Sequence, residues 1–372
     1  MSKRIKVLHV LASLNRGGAE TLVINLLREV NPLKVQFDFL LSIKDGDYEK
    51  EALQLGATLH FTPHLREIGP FKLSKRLDEF FKVNKYDIIH CHIGESSVIY
   101  LKMAKKNKIR VRIVHAHSVS NSNFFLIKLY KKYLRLKIND LSTHRFSCSE
   151  AAGERLFGNK KYSIKKNVLS TDRFSAVDKQ VVQNLKKEFS FNEKNLIIGH
   201  VGRFEEVKNH SFLIDLFKEI HKKHPLSKLL LVGVGPLQQE MKNKVILNNL
   251  ENSVTFAGVQ NEMPEIYSLL DVFVFTSLFE SFGNVLIEAQ SIGIPCLVPN
   301  HITNEADLGI GLFYKEPLDR GVLIWAKKSI ELFNKKKKGP FIEQLKNNGF
   351  DATIEGELLT NFYIKTLNNE VK

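Results

Sequence analysis

Through the first 150 residues, short apolar runs alternate with segments whose apolar positions recur every three to four residues. The runs IKVLHVLA (5–12), VQFDFLL (35–41), ATLHF (57–61), DIIHCHI (87–93), RIVHAHS (112–118) and HRFSCS (144–149) predict strands. Between them, TLVINLLREV, SKRLDEFFKV, SSVIYLKMAKK and FFLIKLYKKYLRLK have helical spacing. Strands that are apolar on both faces, joined by crossover helices, predict a parallel sheet covered on both sides. After KNVLSTDRF (166–174) the pattern restarts with NLIIGHV (195–201), KLLLVGV (228–234), SVTFAG (253–258), DVFVFTS (271–277) and IPCLVP (294–299). The expected fold is therefore α/β, with two Rossmann-like, doubly wound parallel-sheet domains facing across a cleft. They span 1–170 and 171–349, and 350–372 forms a closing helix. Open sheets of this kind bind ligands beyond the carboxyl ends of their strands, which makes the cleft the expected site.

Composition narrows the classes. With 43% hydrophobic residues in 372, the chain can offset the entropy of ordering itself, so disorder is excluded. Cys91, Cys148 and Cys296 are odd in number and far apart, which fits a reduced cytosolic protein and not a disulfide scaffold. No run approaches the roughly 18 apolar residues of a bilayer span. The basic-then-apolar start is interrupted by His9 and Asn15, and reads as a first strand rather than a signal peptide. The net charge of +15 is unevenly placed: residues 1–174 hold 32 Lys/Arg against 16 Asp/Glu, and the rest hold 23 against 24. The first half therefore suits an anionic partner: a membrane surface, a phosphate-bearing substrate or nucleic acid. No recognition-helix or RNA-binding aromatic signature accompanies the charge, so nucleic acid is not expected.

The strongest local signal is ESFGNVLIE, from Glu280 to Glu288, directly after DVFVFTS. It predicts Glu280 in a strand-to-helix loop, Phe282, Gly283 and Asn284 at a helix start, and Glu288 in the second turn. Such a start favours an anion such as a diphosphate. By itself it also fits a glutamate at a helix start and a surface glutamate. GHVGRFEEVKNH adds Arg203 and Lys208 beyond another strand, where a guanidinium fork and an ammonium suit a departing diphosphate. Two glycines after the first strand, Gly17 and Gly18, allow close backbone approach to a ligand, or form an ordinary tight turn.

In this order, GGAE (17–20), GRFEEVKNH, LLVGVGP and ESFGNVLIEA resemble family 4 of the retaining glycosyltransferases, which have the GT-B fold and include bacterial capsular and exopolysaccharide enzymes. The resemblance covers nearly the whole chain. It implies that Arg203 and Lys208 bind the diphosphate of a donor, that Glu280 contacts sugar hydroxyls, and that Glu288 contacts the ribose. Backbone amides at Phe282, Gly283 and Asn284 would hold sugar and phosphate, with Gly17 and Gly18 approaching from the opposite domain. Residues 1–170 become a basic, membrane-facing acceptor-binding domain, and 171–349 a nucleotide-sugar-binding domain. His117 is the histidine that the resemblance puts beside the reacting sugar, with His115 as second choice. Arg203, Lys208, Glu280 and His117 form the catalytic set.

His90, His92, His115 and His117 pair on two predicted strands; a metal site is conceivable chemistry, but strand-end histidines in a polar cleft are the commoner case. No metal and no cofactor beyond the nucleotide-sugar is expected. Asp45-Gly-Asp47 reads as a turn. GVGP (233–236) has Gln238 where a dinucleotide fingerprint needs glycine. In FFLIKLYKKYLRLK (124–137), Lys128, Lys131, Lys132 and Arg135 share a face, and Leu126, Leu129, Tyr130, Tyr133 and Leu134 line another. This helix either covers the sheet or lies on an anionic membrane. The expected protein is a cytoplasmic, peripheral membrane enzyme moving a sugar from a UDP-sugar to a lipid-linked saccharide in surface polysaccharide assembly. The rivals are a UDP-sugar epimerase of the same architecture, a basic nucleic-acid-binding protein and a non-catalytic relative.

Overall fold

Among the described residues, thirteen short strands supply two sheets, and every neighbouring pair is parallel. The computed structural model describes residues 4–118 and 125–369; Phe124, which opens the expected basic helix, lies outside them. The first sheet contains β1 (Ile5–Val10), β2 (Val35–Leu41), β3 (Thr58–Phe61), β4 (Ile88–Cys91), β5 (Val111–Ala116), β6 (His144–Ser147) and β7 (Ser163–Ile164). Their order is β3-β2-β1-β4-β5-β6-β7. The second contains β8 (Leu196–Val201), β9 (Ser227–Val232), β10 (Val254–Gly258), β11 (Val272–Val274), β12 (Cys296–Val298) and β13 (Phe313–Lys315), in the order β10-β9-β8-β11-β12-β13. Both sheets thus reverse direction of growth beside their first strand, as a Rossmann sheet does.

All eleven strand candidates of the sequence are present, most of them shortened at one or both ends, while β2 keeps its full length and β5 and β9 start one residue earlier. Two strands escaped it, β7 and β13, of two and three residues. Each sits at a sheet edge, paired on one side only, so no continuous apolar run announces it. The trimming matters chemically: His92 falls one residue past β4 and His117 one past β5.

Alternate side chains of each strand enter opposite cores. Val7, Phe37, Phe39 and Leu41 pack with Leu22, Val23 and Leu26 of the helix Gly18–Glu29. Leu8, Val10, Leu40 and Ile89 pack on the other face with Leu73, Leu77 and Leu101. In the second sheet, Ile198, Leu229, Leu231, Val272 and Val274 join Leu213, Leu216 and Phe217 of the helix His210–Lys223, and the buried Trp325.

The chain divides into two compact units. One runs to Ser170 and resumes at Gly349; the other is Thr171–Asn348. The return is built from backbone bonds. Leu169 N–H donates to the carbonyl of Phe350 at 2.7 Å, and Ala352 N–H to that of Leu169 at 2.9 Å. The helix Ala352–Asn369 then packs on Gly18–Glu29, adding Leu359 and Tyr363 to that core.

Candidate functional site

Each sheet has one place where neighbouring crossovers part to opposite sides, between β1 and β4 in the first unit and between β8 and β11 in the second. These are the points where doubly wound sheets hold ligands. The expected site residues cluster at them.

In the second unit, the chain leaves β8 through Gly202 and Arg203 and makes a tight turn at Glu206–Lys208. Asn209, left-handed at φ 56°, starts the helix His210–Lys223. The hydroxyl of Thr276, past β11, donates to the carbonyl of Lys208 at 3.0 Å, and Leu278 N–H donates to that of Val207 at 2.8 Å. Those bonds clip the two strand-end loops together. In consequence the Lys208 ammonium donates to the Glu280 carboxylate, with Lys208 20% and Glu280 22% exposed. The same ammonium lies 5.5 Å from the centre of the Phe275 ring. An ammonium has three N–H donors, so holding Glu280 leaves capacity for an anion.

Gly283 caps the helix Asn284–Ile292 at φ 93°, a conformation that favours glycine, while the Phe282 side chain is buried beneath. Glu288 stands in the second turn and accepts from the Tyr267 hydroxyl at 2.8 Å. Burial raises the pKa of this carboxyl; the Tyr267 bond and the charge of Arg173 oppose the rise. Arg203 is different. Its side chain is 64% exposed, and its Nε lies 2.8 Å from a Glu205 carboxylate oxygen as an ion pair. Lys208 with Glu280, and Glu288 with Tyr267, are therefore brought into fixed pairs, whereas Arg203 projects to solvent.

The glycines of GVGP serve packing. A Cβ on Gly233 would stand 2.2 Å from the Gly202 carbonyl oxygen, and one on Gly235 2.6 Å from the Phe204 nitrogen. In the first unit, Gly17 caps the helix Gly18–Glu29, and the Glu20 carboxylate lies 2.3 Å from where its Cβ would be. Gly18 is exposed. Asp47 accepts from Arg16 N–H at 3.1 Å and Asp45 has φ 62°, so Asp45-Gly-Asp47 is a turn.

The first unit's switch point is filled with imidazoles. His9 Nδ1 lies 3.1 Å from His92 Nε2, and His92 Nδ1 lies 2.9 Å from His117 Nε2, which makes a hydrogen-bonded row. His90 Nδ1 bonds the Tyr363 hydroxyl at 2.9 Å, and His115 stacks on His90 with ring centres 5.6 Å apart. Burial pushes His9 and His117 down to about 3 and the other three well below the usual histidine range. All five are therefore neutral at physiological pH. Two sets, His9/His90/His92 and His92/His115/His117, bring ligand nitrogens within 4.8 Å; these are the groups among the described residues with three such ligands. Sequence reading paired four of the histidines and missed His9 as a member. Its signal is the register, which sets His9 opposite His90. Tyr363 and Tyr267 carried no local signal at all.

Beyond β4 and β5 lies a cavity of about 270 Å³, lined by His92, Glu95, His117, Lys131 and Arg155 among others. The helix Phe125–Leu141 runs past it with Leu129, Tyr130, Tyr133 and Leu136 more than half exposed. Its aromatic face is thus not spent on the sheet. No helix among the described residues is long and apolar enough to cross a membrane.

Residues 16–198 match the family Glycosyltransferase Family 4, and residues 181–309 match Glycosyl transferases group 1. The chain is 34% identical to EpsF of Bacillus subtilis (strain 168), described as a glycosyltransferase, over 97% of both chains. It is 28% identical to the Escherichia coli UDP-Gal:alpha-D-GlcNAc-diphosphoundecaprenol alpha-1,3-galactosyltransferase, over 71% of this chain and 72% of that one. Among solved structures, Anabaena HepE in complex with UDP and glucose has the same fold, with a TM-score of 0.75 at 18% identity, covering 97% of this chain and all of the other. The chain belongs to the glycosyltransferases of GT-B fold, related to the bacterial capsular and exopolysaccharide enzymes.

Proposed function

We propose that this glycosyltransferase moves a sugar, with retention of configuration, from a UDP-sugar on its second unit to a lipid-linked saccharide on its first. The observation that carries the reading is the Lys208–Glu280 pair at the β8/β11 switch point, beside the amino end of the helix Asn284–Ile292. Lys208, Arg203 and the N–H groups at Gly283 and Asn284 stabilise the diphosphate as it gains charge on departure. These cations supply the charge a metal would supply elsewhere, so the reaction is metal-independent. Glu280 accepts from hydroxyls of the transferred sugar. Glu288, set in place by Tyr267, accepts from the ribose diol. The leaving phosphate oxygen takes the acceptor hydroxyl's proton on the face it vacates, which retains configuration without a protein nucleophile.

His117 positions the acceptor. A pKa near 3 makes it a poor proton acceptor, but a neutral ring still forms hydrogen bonds. Gly17 and Gly18, by the family resemblance, approach the phosphate. The basic charge of the first half and the exposed aromatics of Phe125–Leu141 hold the enzyme peripherally on an anionic, cytoplasmic membrane face. HepE's complex with UDP and glucose, and a relative whose name specifies a diphosphoundecaprenol acceptor, support donor and acceptor class.

A thermal-shift screen across nucleoside diphosphates and nucleotide-sugars tests this. UDP is expected to raise Tm, with a stabilisation of about 2.7 kcal/mol at a hundred times Kd. A flat response to every nucleotide, or an undiminished UDP response in Lys208→Ala, overturns the donor site. UDP release that needs no saccharide acceptor overturns transfer.

A further inference from the structure

The cavity beyond β4 and β5 has a polar wall that its own residues do not satisfy. The Arg155 side chain is only 10% exposed, and its Nη2 donates to Glu95 Oε1 at 3.0 Å. Arg135 Nε donates to the same oxygen at 3.1 Å. Among the described residues, however, neither the buried Arg155 Nε nor the buried His117 Nδ1 finds a partner. Lys131 contributes a further cation to the lining. Two guanidinium groups therefore share one carboxylate while Lys131 lines the same cavity, and burial draws the Arg155 pKa below its ordinary value, a cost that a bound anion offsets.

The imidazole row adds direction. Because the rings bond Nδ1 to Nε2 in sequence, their tautomers are coupled. With every Nδ1 protonated, His9 donates to His92, His92 donates to His117, and His117 Nδ1–H is left as a donor. With every Nε2 protonated, the row runs backwards and His117 Nδ1 becomes an acceptor.

We propose that this cavity is an oxyanion subsite for a phosphoryl group of the acceptor, bound by Arg155, Lys131 and His117, and that the anion selects the tautomer row in which His117 Nδ1 donates. The proposal rests on the reading that the first unit takes the acceptor. The phosphoryl group comes either from a lipid-linked headgroup or from a soluble sugar phosphate.

The test is histidine ¹⁵N NMR on the full chain saturated with UDP, which keeps added phosphate out of the donor site. Inorganic phosphate is expected to move the His117 ring to the protonated-Nδ1 tautomer. Lys131→Gln and Arg155→Lys should each weaken that response about tenfold, the loss of one charge-assisted hydrogen bond. Lys131 is partly exposed, so its variant tests the site even if the Arg155 change disturbs folding. Displacement of phosphate by glucose 1-phosphate assigns the group to a soluble acceptor. Displacement only by phosphatidylcholine vesicles carrying polyprenyl phosphate assigns it to a lipid headgroup. Unmoved His117 resonances, or a response in both variants as strong as in the unsubstituted chain, overturn the subsite. The UDP thermal shift, read on the other unit, stays intact in that case and separates this failure from failure of the donor reading.

Discussion

The two units share one strand order and put opposite chemistry at the same topological place. Between β8 and β11 stands a charged pair, Lys208 with Glu280, on a unit whose sequence is close to neutral. Between β1 and β4 stands a row of neutral imidazoles, on the half that carries all the excess positive charge. Net charge per unit is thus a poor guide to the charge at its site. The positive excess of the first half lies elsewhere, with Lys131 and Arg155 at the cavity among it. The single pair in the second unit is partly buried and held by two loops, so its charges are placed for contact-range rather than long-range interaction.

The largest effect that sharpens this contrast is expected from Lys208→Ala. Removing a preorganised donor should lower kcat by two to three orders of magnitude, about 3–4 kcal/mol. Arg203→Ala should cost far less, about 1 kcal/mol, because its guanidinium is mostly exposed and screened. Steady-state kinetics with a nucleotide-sugar decide it, and an Arg203 effect equal to that of Lys208 would break the distinction between a contact-range pair and a solvent-screened cation.

Acid should destabilise the first unit through its buried imidazoles. His9 and His117 are held near pKa 3 when folded and titrate near 6.5 when unfolded. The unfolded chain therefore binds more protons below pH 6.5, and the folded state is favoured as pH rises. The stability is full above that value and is lost progressively as pH falls towards 3, at a limiting slope of about 1.4 kcal/mol per pH unit for each group. Tm measured from pH 7 to pH 5 should fall, and His9→Phe should flatten the fall. A pH-independent Tm would show that the imidazole row titrates normally.

The smallest change in stability is expected at Tyr130 and Tyr133. Replacing both with serine should move stability by no more than about 0.5 kcal/mol each, since both are exposed. Sedimentation with anionic vesicles should nevertheless fall several-fold. Unchanged vesicle binding would assign the membrane affinity to charge alone.

Much of the fold was legible in the residues, because it is written in local periodicity. The restart after residue 174, the parallel strands and the loop-then-helix reading of Glu280 to Glu288 follow from runs of six to ten side chains. The unread parts depend on partners distant in sequence. Strands β7 and β13 exist only because a neighbouring edge is there to pair with them. The aromatic face of FFLIKLYKKYLRLK is compatible with burial or exposure until the sheet beneath is built. Glu288 was visible as a candidate, but its Tyr267 partner was not.

The amino-acid order by itself determined two α/β repeats, the strand ends where chemistry would gather, and the residue types that would gather there. Only the tertiary structure decided which of them meet and in what protonation state. Lys208 reaches Glu280 across 72 residues because the crossover order makes β8 and β11 neighbours. Four of the five histidines, His9, His90, His92 and His115, lose their charge because the surrounding side chains exclude water, and exclusion of water is a property of a filled volume that no single segment possesses.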